Sequence, residues 1–207
     1  IYPEHGANVQ TLMKNADLSM YYIKQSGKNA VALYDDKLTA QAEKRFQMEQ
    51  NIRLALDSKG LVAHFQPRFD ACTREITGFE SLARMKLPDG RLIAPMDFIP
   101  VAEETGFIIA IGDWVLEQAV RQAARWRDAG FAMPISVNVS ALQFQQADFI
   151  DRVAAVLREH QLAGALLELE LTESILVHDA DDALLRLQAL AELGVRLSID
   201  DFGTGYS

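Results

Sequence analysis

Three segments decide how this chain folds: ISVNVS at residues 135–140, LLELELT at 166–172 and RLSID at 196–200. Each alternates apolar with polar residues, which is the two-residue period of a β-strand whose successive side chains point to opposite faces. Ile135, Val137 and Val139 share one phase against Ser136, Asn138 and Ser140. Leu167, Leu169 and Leu171 oppose Glu168, Glu170 and Thr172, and Leu197 and Ile199 oppose Ser198 and Asp200. Between these strands lie helical segments at 148–160 and 181–193, the second closed by Gly194. Strand and helix thus alternate at intervals of about 30 residues, the spacing of βαβ units on a parallel sheet.

Residues 62–69 and 76–84, upstream of these, read as two strands joined by a tight connection. Residues 113–129 read as a helix closed by Gly130, with Val115, Ala119, Ala123 and Trp126 on one stripe. The fold class is α/β, either a barrel or a doubly wound sheet. Residues 35–59 are charged, rich in Gln and free of Pro and Gly, which suits a connecting helix with Phe46, Leu54 and Leu56 as packing contacts. Residues 9–25 carry apolar positions at helical spacing, Gly27 supplies a stop, and NAVALY at 29–34 is strand-like. This piece is expected to be the last helix and strand of something larger. The chain starts at Ile1 and stops at Ser207 within the turn FGTGYS, so it reads as a fragment at both ends.

The chain holds 207 residues in 23.0 kDa, enough for one domain and a piece of another. Its 20 Lys and Arg against 29 Asp and Glu give a net charge of -9, which disfavours a nucleic-acid polymer as partner. No apolar run approaches the roughly 20 residues that span a bilayer, so no membrane contact is expected from this segment. The single Cys72 permits no intrachain disulfide and no thiolate zinc site, and it fits a reducing cytoplasm.

The polar phases carry the chemistry. In an α/β barrel the apolar phase faces the helices and the polar phase faces inward, with reactive groups near the C-terminal strand ends. Glu80, on the phase of Leu82 and Arg84, would then converge with Asn138, Glu170 and Asp200. Several carboxylates brought together repel one another and lose hydration, and a hard divalent cation relieves that cost. Oxygen donors without Cys or His favour magnesium or manganese, and Asp201, next to Asp200, provides for a second metal. Two such metals suit hydrolysis of a phosphodiester, with Arg84 as a fixed cation for the phosphate. The bland readings are solvated strand ends for the acids and simple neutralisation of Glu80 for Arg84. Glu103 and Glu104 are read as capping the turn that follows them, the four histidines as surface or packing residues, and Trp114 and Trp126 as packing.

Taken in order, Phe65-Gln66-Pro67, Gly78-Phe79-Glu80-Ser81-Leu82-Ala83-Arg84, Phe98-Ile99-Pro100-Val101-Ala102-Glu103-Glu104-Thr105-Gly106, Val137-Asn138-Val139-Ser140, Glu170-Leu171-Thr172-Glu173 and Asp200-Asp201-Phe202-Gly203-Thr204-Gly205 resemble the EAL domain family of bacterial cyclic di-GMP phosphodiesterases. The signature triplet is Glu-Ser-Leu here in place of Glu-Ala-Leu, and Ser81 points away from the Glu80 face. The resemblance implies a TIM-like (β/α)8 barrel, truncated after about its fifth strand, over residues 61–207. It implies Glu80, Asn138, Glu170, Asp200 and Asp201 as ligands of Mg2+ or Mn2+, two per site. Gln66, Leu82 and Arg84 would line the dinucleotide pocket, and Glu173 would brace the loop that begins at Asp201. The implied reaction of the parent protein is hydrolysis of cyclic di-GMP to linear pGpG. The alternative is a non-catalytic receptor or interaction module, and an incomplete barrel of this extent is expected to be inactive on its own. Residues 1–37, with Tyr2-Pro3-Glu4-His5-Gly6, Ala16-Asp17-Leu18-Ser19-Met20-Tyr21 and Lys24, resemble the end of a GGDEF domain, followed by a linker helix at 38–60. Family members often dimerise and often carry sensory domains.

Overall fold

The structure is a computed structural model that describes residues 1–25, 29–172, 175 and 180–200. The chain packs as two compact units, Ile1–Asn51 and Ile52–Ser207. The first holds helix α1 (Val9–Gln25) and the start of helix α2 (Asp36–Asp57). Asn15 and Ser19 on α1 are buried, with Asn15 Nδ2 donating to the His5 carbonyl at 2.8 Å and Ser19 Oγ to the Asn15 carbonyl at 2.9 Å. The strand expected at 29–34 does not form: among the described residues this stretch joins no ladder, and its Val31 is 95% exposed. A strand-like sequence becomes a strand only when a partner completes its hydrogen bonds.

The division between the units falls within α2. This helix forms as the composition predicts, but its buried residues are Ile52 and Ala55, whereas Phe46 and Leu54 are exposed. At 100° per residue, Ile52 and Ala55 share a face that Leu54 does not.

In the second unit, strands β1 (Leu61–Phe69) and β2 (Ile76–Lys86) form an antiparallel hairpin, and a two-residue strand β3 (Leu92–Ile93) pairs with the end of β2. Then come α3 (Pro95–Thr105), α4 (Phe107–Asp128), β4 (Ile135–Val139), the short α5 (Ala141–Phe144), α6 (Phe149–Glu159), β5 (Leu167–Thr172), α7 (Ala180–Glu192) and β6 (Arg196–Asp200). The sheet runs β1-β2-β4-β5-β6, parallel from β2 onward. The alternation of strand and helix therefore does produce parallel βαβ units. Two details depart from the expectation. The first pair is antiparallel, and β3 adds a sixth, minimal strand. Among the described residues, β1 and β6 end the path and no ladder joins them into a closed ring.

The apolar phase of the parallel strands is the core. Ile135, Val137, Leu167 and Leu169 are all 0% exposed. Against β2 and β4 lies α4, whose Ile111, Val115, Leu116, Ala119, Val120 and Ala123 are buried. Trp126 continues this stripe and packs on Phe79, with ring centroids 4.5 Å apart, and edge-on to Phe65. The helix begins at Phe107, six residues before the expected start: the run Phe107–Ile111 is apolar at every position, so its sequence shows no polar phase, although the structure buries Ile108 and Ile111 and leaves Ala110 exposed. Gly78 has no Cβ to clash where β4 arrives: a Cβ there would lie 2.8 Å from the Pro134 carbonyl, which accepts from Phe79 N at 2.9 Å.

Candidate functional site

The inward phases of β2, β4 and β5 bring three of the expected residues together. Asn138 Nδ2 donates to Glu80 Oε1 at 2.8 Å, and Asn138 stands beside Glu170 in the β4–β5 register. Gln66 lies opposite Glu80 in the hairpin, so the two share a face. Leu82, Asn138 and Glu170 line a cavity of about 400 Å³, whose far wall is α3, with Met96, Ile99 and Glu103. Gln66 and Arg84 are outside that lining, and Arg84 Nη1 donates to the Ala83 carbonyl at 2.8 Å. Asp200 pairs with Thr172 at the end of β6, which puts its backbone beside the end of β5. Asp201 and Glu173 lie outside the described residues.

Two features of this site were not read from the sequence. The first is Arg68, whose Nη2 meets Glu168 Oε2 at 2.5 Å and whose Nη1 meets Glu170 Oε1 at 2.8 Å. The period of β1 does place Arg68 on the phase of Gln66, and that was the available signal. Its partners, however, lie 100 and 102 residues away. The ladder register shifts between Arg68 and Phe69, a bulge of the kind that re-aims a side chain near the end of a hairpin. The second is α3 and the wall it forms. Pro95 in the first turn and Gly106 just past the end, at φ 77°, are the marks of a short helix, and they are legible in the sequence once sought.

The carboxyls of this face titrate in opposite directions. The hydrogen bond from Arg68 holds Glu168 below the usual range, and Arg68 is itself raised by that partner. Burial pushes Glu170 upward, and the charges of Glu80 and Glu168 add to this and outweigh the Arg68 attraction. Glu103, exposed at the cavity wall, is raised in the same direction by partial desolvation. On this face the cost of ionisation therefore falls on Glu170.

In donor chemistry the face fits a hard divalent cation, since Glu80, Asn138 and Glu170 offer carboxylate and amide oxygens. Its described part consists of Glu80, Glu170 and Asn138. Among the described residues no group of three drawn from His, Cys, Asp and Glu is placed to hold a metal.

A model of the EAL domain matches residues 49–207. The chain belongs to the EAL domain family. It is 43% identical over its whole length to the bifunctional diguanylate cyclase/cyclic di-GMP phosphodiesterase MucR of Pseudomonas aeruginosa, covering 30% of that protein. It is 36% identical, over 99% of its length, to the cyclic di-GMP phosphodiesterase PdeR of Escherichia coli, covering 31% of that protein. The chain therefore spans less than a third of the length of these two relatives. Among solved EAL structures, the cyclic di-GMP complex of the PaMucR phosphodiesterase superposes with a TM-score of 0.74 at 46% identity, over 78% of this chain and 66% of that one. An α/β fold of the TIM-like EAL type is thereby established. No helix among the described residues is long and apolar enough to cross a membrane.

Proposed function

We propose that this chain is the catalytic part of a metal-dependent phosphodiesterase that opens cyclic di-GMP to linear pGpG by adding water across one P–O bond. The carrying observation is the meeting of Glu80, Asn138 and Glu170 on the inward face of a parallel EAL sheet, beside a cavity of about 400 Å³. The names of MucR and PdeR and the ligand in the PaMucR complex support the substrate.

In this reading Glu80, Asn138, Glu170, Asp200 and Asp201 hold Mg2+ or Mn2+, two per site, and Glu173 braces the loop at Asp201. Bound there, the cations supply Lewis acidity at the phosphate and lower the pKa of water. The chain's own residues do the rest. Asn138 fixes the Glu80 carboxylate through its Nδ2 hydrogen bond. Leu82 and the α3 wall give the dinucleotide an apolar surface, and Gln66 and Arg84 supply polar and cationic contacts to it. Residues 1–37 are the end of a GGDEF domain, 38–60 a linker helix and 61–207 the first strands of a (β/α)8 barrel, in a cytoplasmic parent protein that can pair with a second copy of itself.

The test is turnover by the full-length protein with Mg2+ or Mn2+, followed as pGpG by chromatography. Hydrolysis that disappears in Glu80→Ala is the expected result. Tight cyclic di-GMP binding with no pGpG would replace the phosphodiesterase with the receptor reading.

A further inference from the structure

The cavity, the metal face and the α3 wall all belong to the proposed catalysis, but Glu168 does not. It sits two residues before Glu170, on the same inward phase, 15% exposed, and it engages Arg68 at both of its oxygens, Oε2 at 2.5 Å and Oε1 at 3.4 Å. The fork of a guanidinium matches a carboxylate in this two-bond arrangement, so Glu168 is the better-held partner. Glu170 receives one bond from Arg68, from Nη1 to Oε1 at 2.8 Å. Arg68 therefore stands between two acceptors, of which one is an expected metal ligand.

We infer that Glu168 and Arg68 are positioning residues that set the affinity of the Glu170 carboxylate for a divalent cation. Glu168 holds the arginine by two bonds and neutralises it, so that Glu170 is oriented by a single bond and keeps its charge for a cation. The geometry gives the two residues opposite signs. Without Glu168, the arginine has one carboxylate left, and two-bond pairing with Glu170 would take up the oxygens a metal needs. Without Arg68, Glu170 loses its competitor. Groups that orient a ligating carboxylate from behind commonly change metal affinity by about 10- to 100-fold.

This inference rests on the metal reading of the proposed function, and its test reads metal binding directly. The probe is Mn2+ alone, titrated into the full-length protein and followed by the electron paramagnetic resonance signal of the free ion. Glu168→Gln is expected to weaken Mn2+ binding about tenfold. Arg68→Met is expected to bind at least as tightly as wild type, and Arg68→Met/Glu168→Gln is expected to match Arg68→Met. The double variant carries the decision, because a merely damaged fold would not recover affinity when a second residue is removed. Wild-type affinity in Glu168→Gln, or a double variant as weak as Glu168→Gln, overturns the inference while leaving a Mn2+-dependent phosphodiesterase intact. Failure of every form, wild type included, to bind Mn2+ overturns both.

Discussion

The two faces of the β4–β5 pair are made by the same residues of backbone and differ in almost everything else. On the helix side, Ile135, Val137, Leu167 and Leu169 are wholly buried beneath a layer of helices. On the inward side, Asn138, Glu168 and Glu170 are polar, and the two glutamates are tied to Arg68 of β1. The first face contributes stability by removing apolar surface from water. The second spends some of it, since burial of Glu170 disfavours its charged form and Arg68 offsets only part of that cost. A strand can carry both because alternation keeps the two sets of side chains apart.

Substitutions that respect this division should separate stability from chemistry. The largest effect is expected from Leu169→Ala, which opens a cavity in the core and should cost about 2–5 kcal/mol in urea denaturation. A loss under about 1 kcal/mol would show that the helix-side face is not the core. Glu80→Ala should do the reverse. Turnover by the full-length protein should fall about 10³-fold, from several kcal/mol of lost charge stabilisation, with a melting curve close to wild type. A drop in both by similar energies would mean that the inward face is structural.

Arg68→Met falls between these, because it leaves two glutamates of one face without their cation. It should cost about 1–3 kcal/mol near neutral pH. The sign with pH follows from Glu168, whose folded-state pKa is lowered by the Arg68 hydrogen bond. Its stabilisation is present above the unfolded Glu pKa of about 4.3 and is lost as pH falls through the lower folded value. The difference between wild type and Arg68→Met should therefore shrink below about pH 4 in paired denaturation curves. A difference that grows with acidification would contradict the ion pair. The smallest effect is expected from Glu103→Gln at the cavity wall. Partial desolvation raises this carboxyl, so its charged form costs stability as pH rises through its titration. Because Glu103 is largely exposed, the amide should give a gain within about 0.5 kcal/mol, absent below the unfolded Glu pKa of about 4.3 and complete once pH has risen through the raised folded value. A loss in that range would mean that Glu103 has a partner that its charge serves.

The local period explains why so much of the fold was legible. The phases of β2, β4, β5 and β6, and the end of α4 before Gly130, follow from neighbouring residues, and the order of the parallel strands follows from the short helices between them. The start of α4 was less legible because Phe107–Ile111 is apolar at every position, so no polar phase marks the stripe of Ile108 and Ile111 that the structure buries. Residues 29–34 read as a strand because β-propensity is local, whereas a ladder partner is not. On the site, the sequence alone singled out Glu80, Asn138 and Glu170, since each sits at a polar phase on a separate strand, and the structure brings them together. It likewise marked Asp200 at the end of β6.

By itself, the sequence determined which residues of each strand face the core and which face inward, because alternation is set by the geometry of one strand. The tertiary structure alone decided that Arg68 bridges Glu168 and Glu170, that α3 walls the cavity above Glu170, and that Ile52 and Ala55, in place of Leu54, are the buried side of α2. Those are contacts between segments distant in the chain, and their energy depends on which surfaces meet once the sheet and helices have assembled.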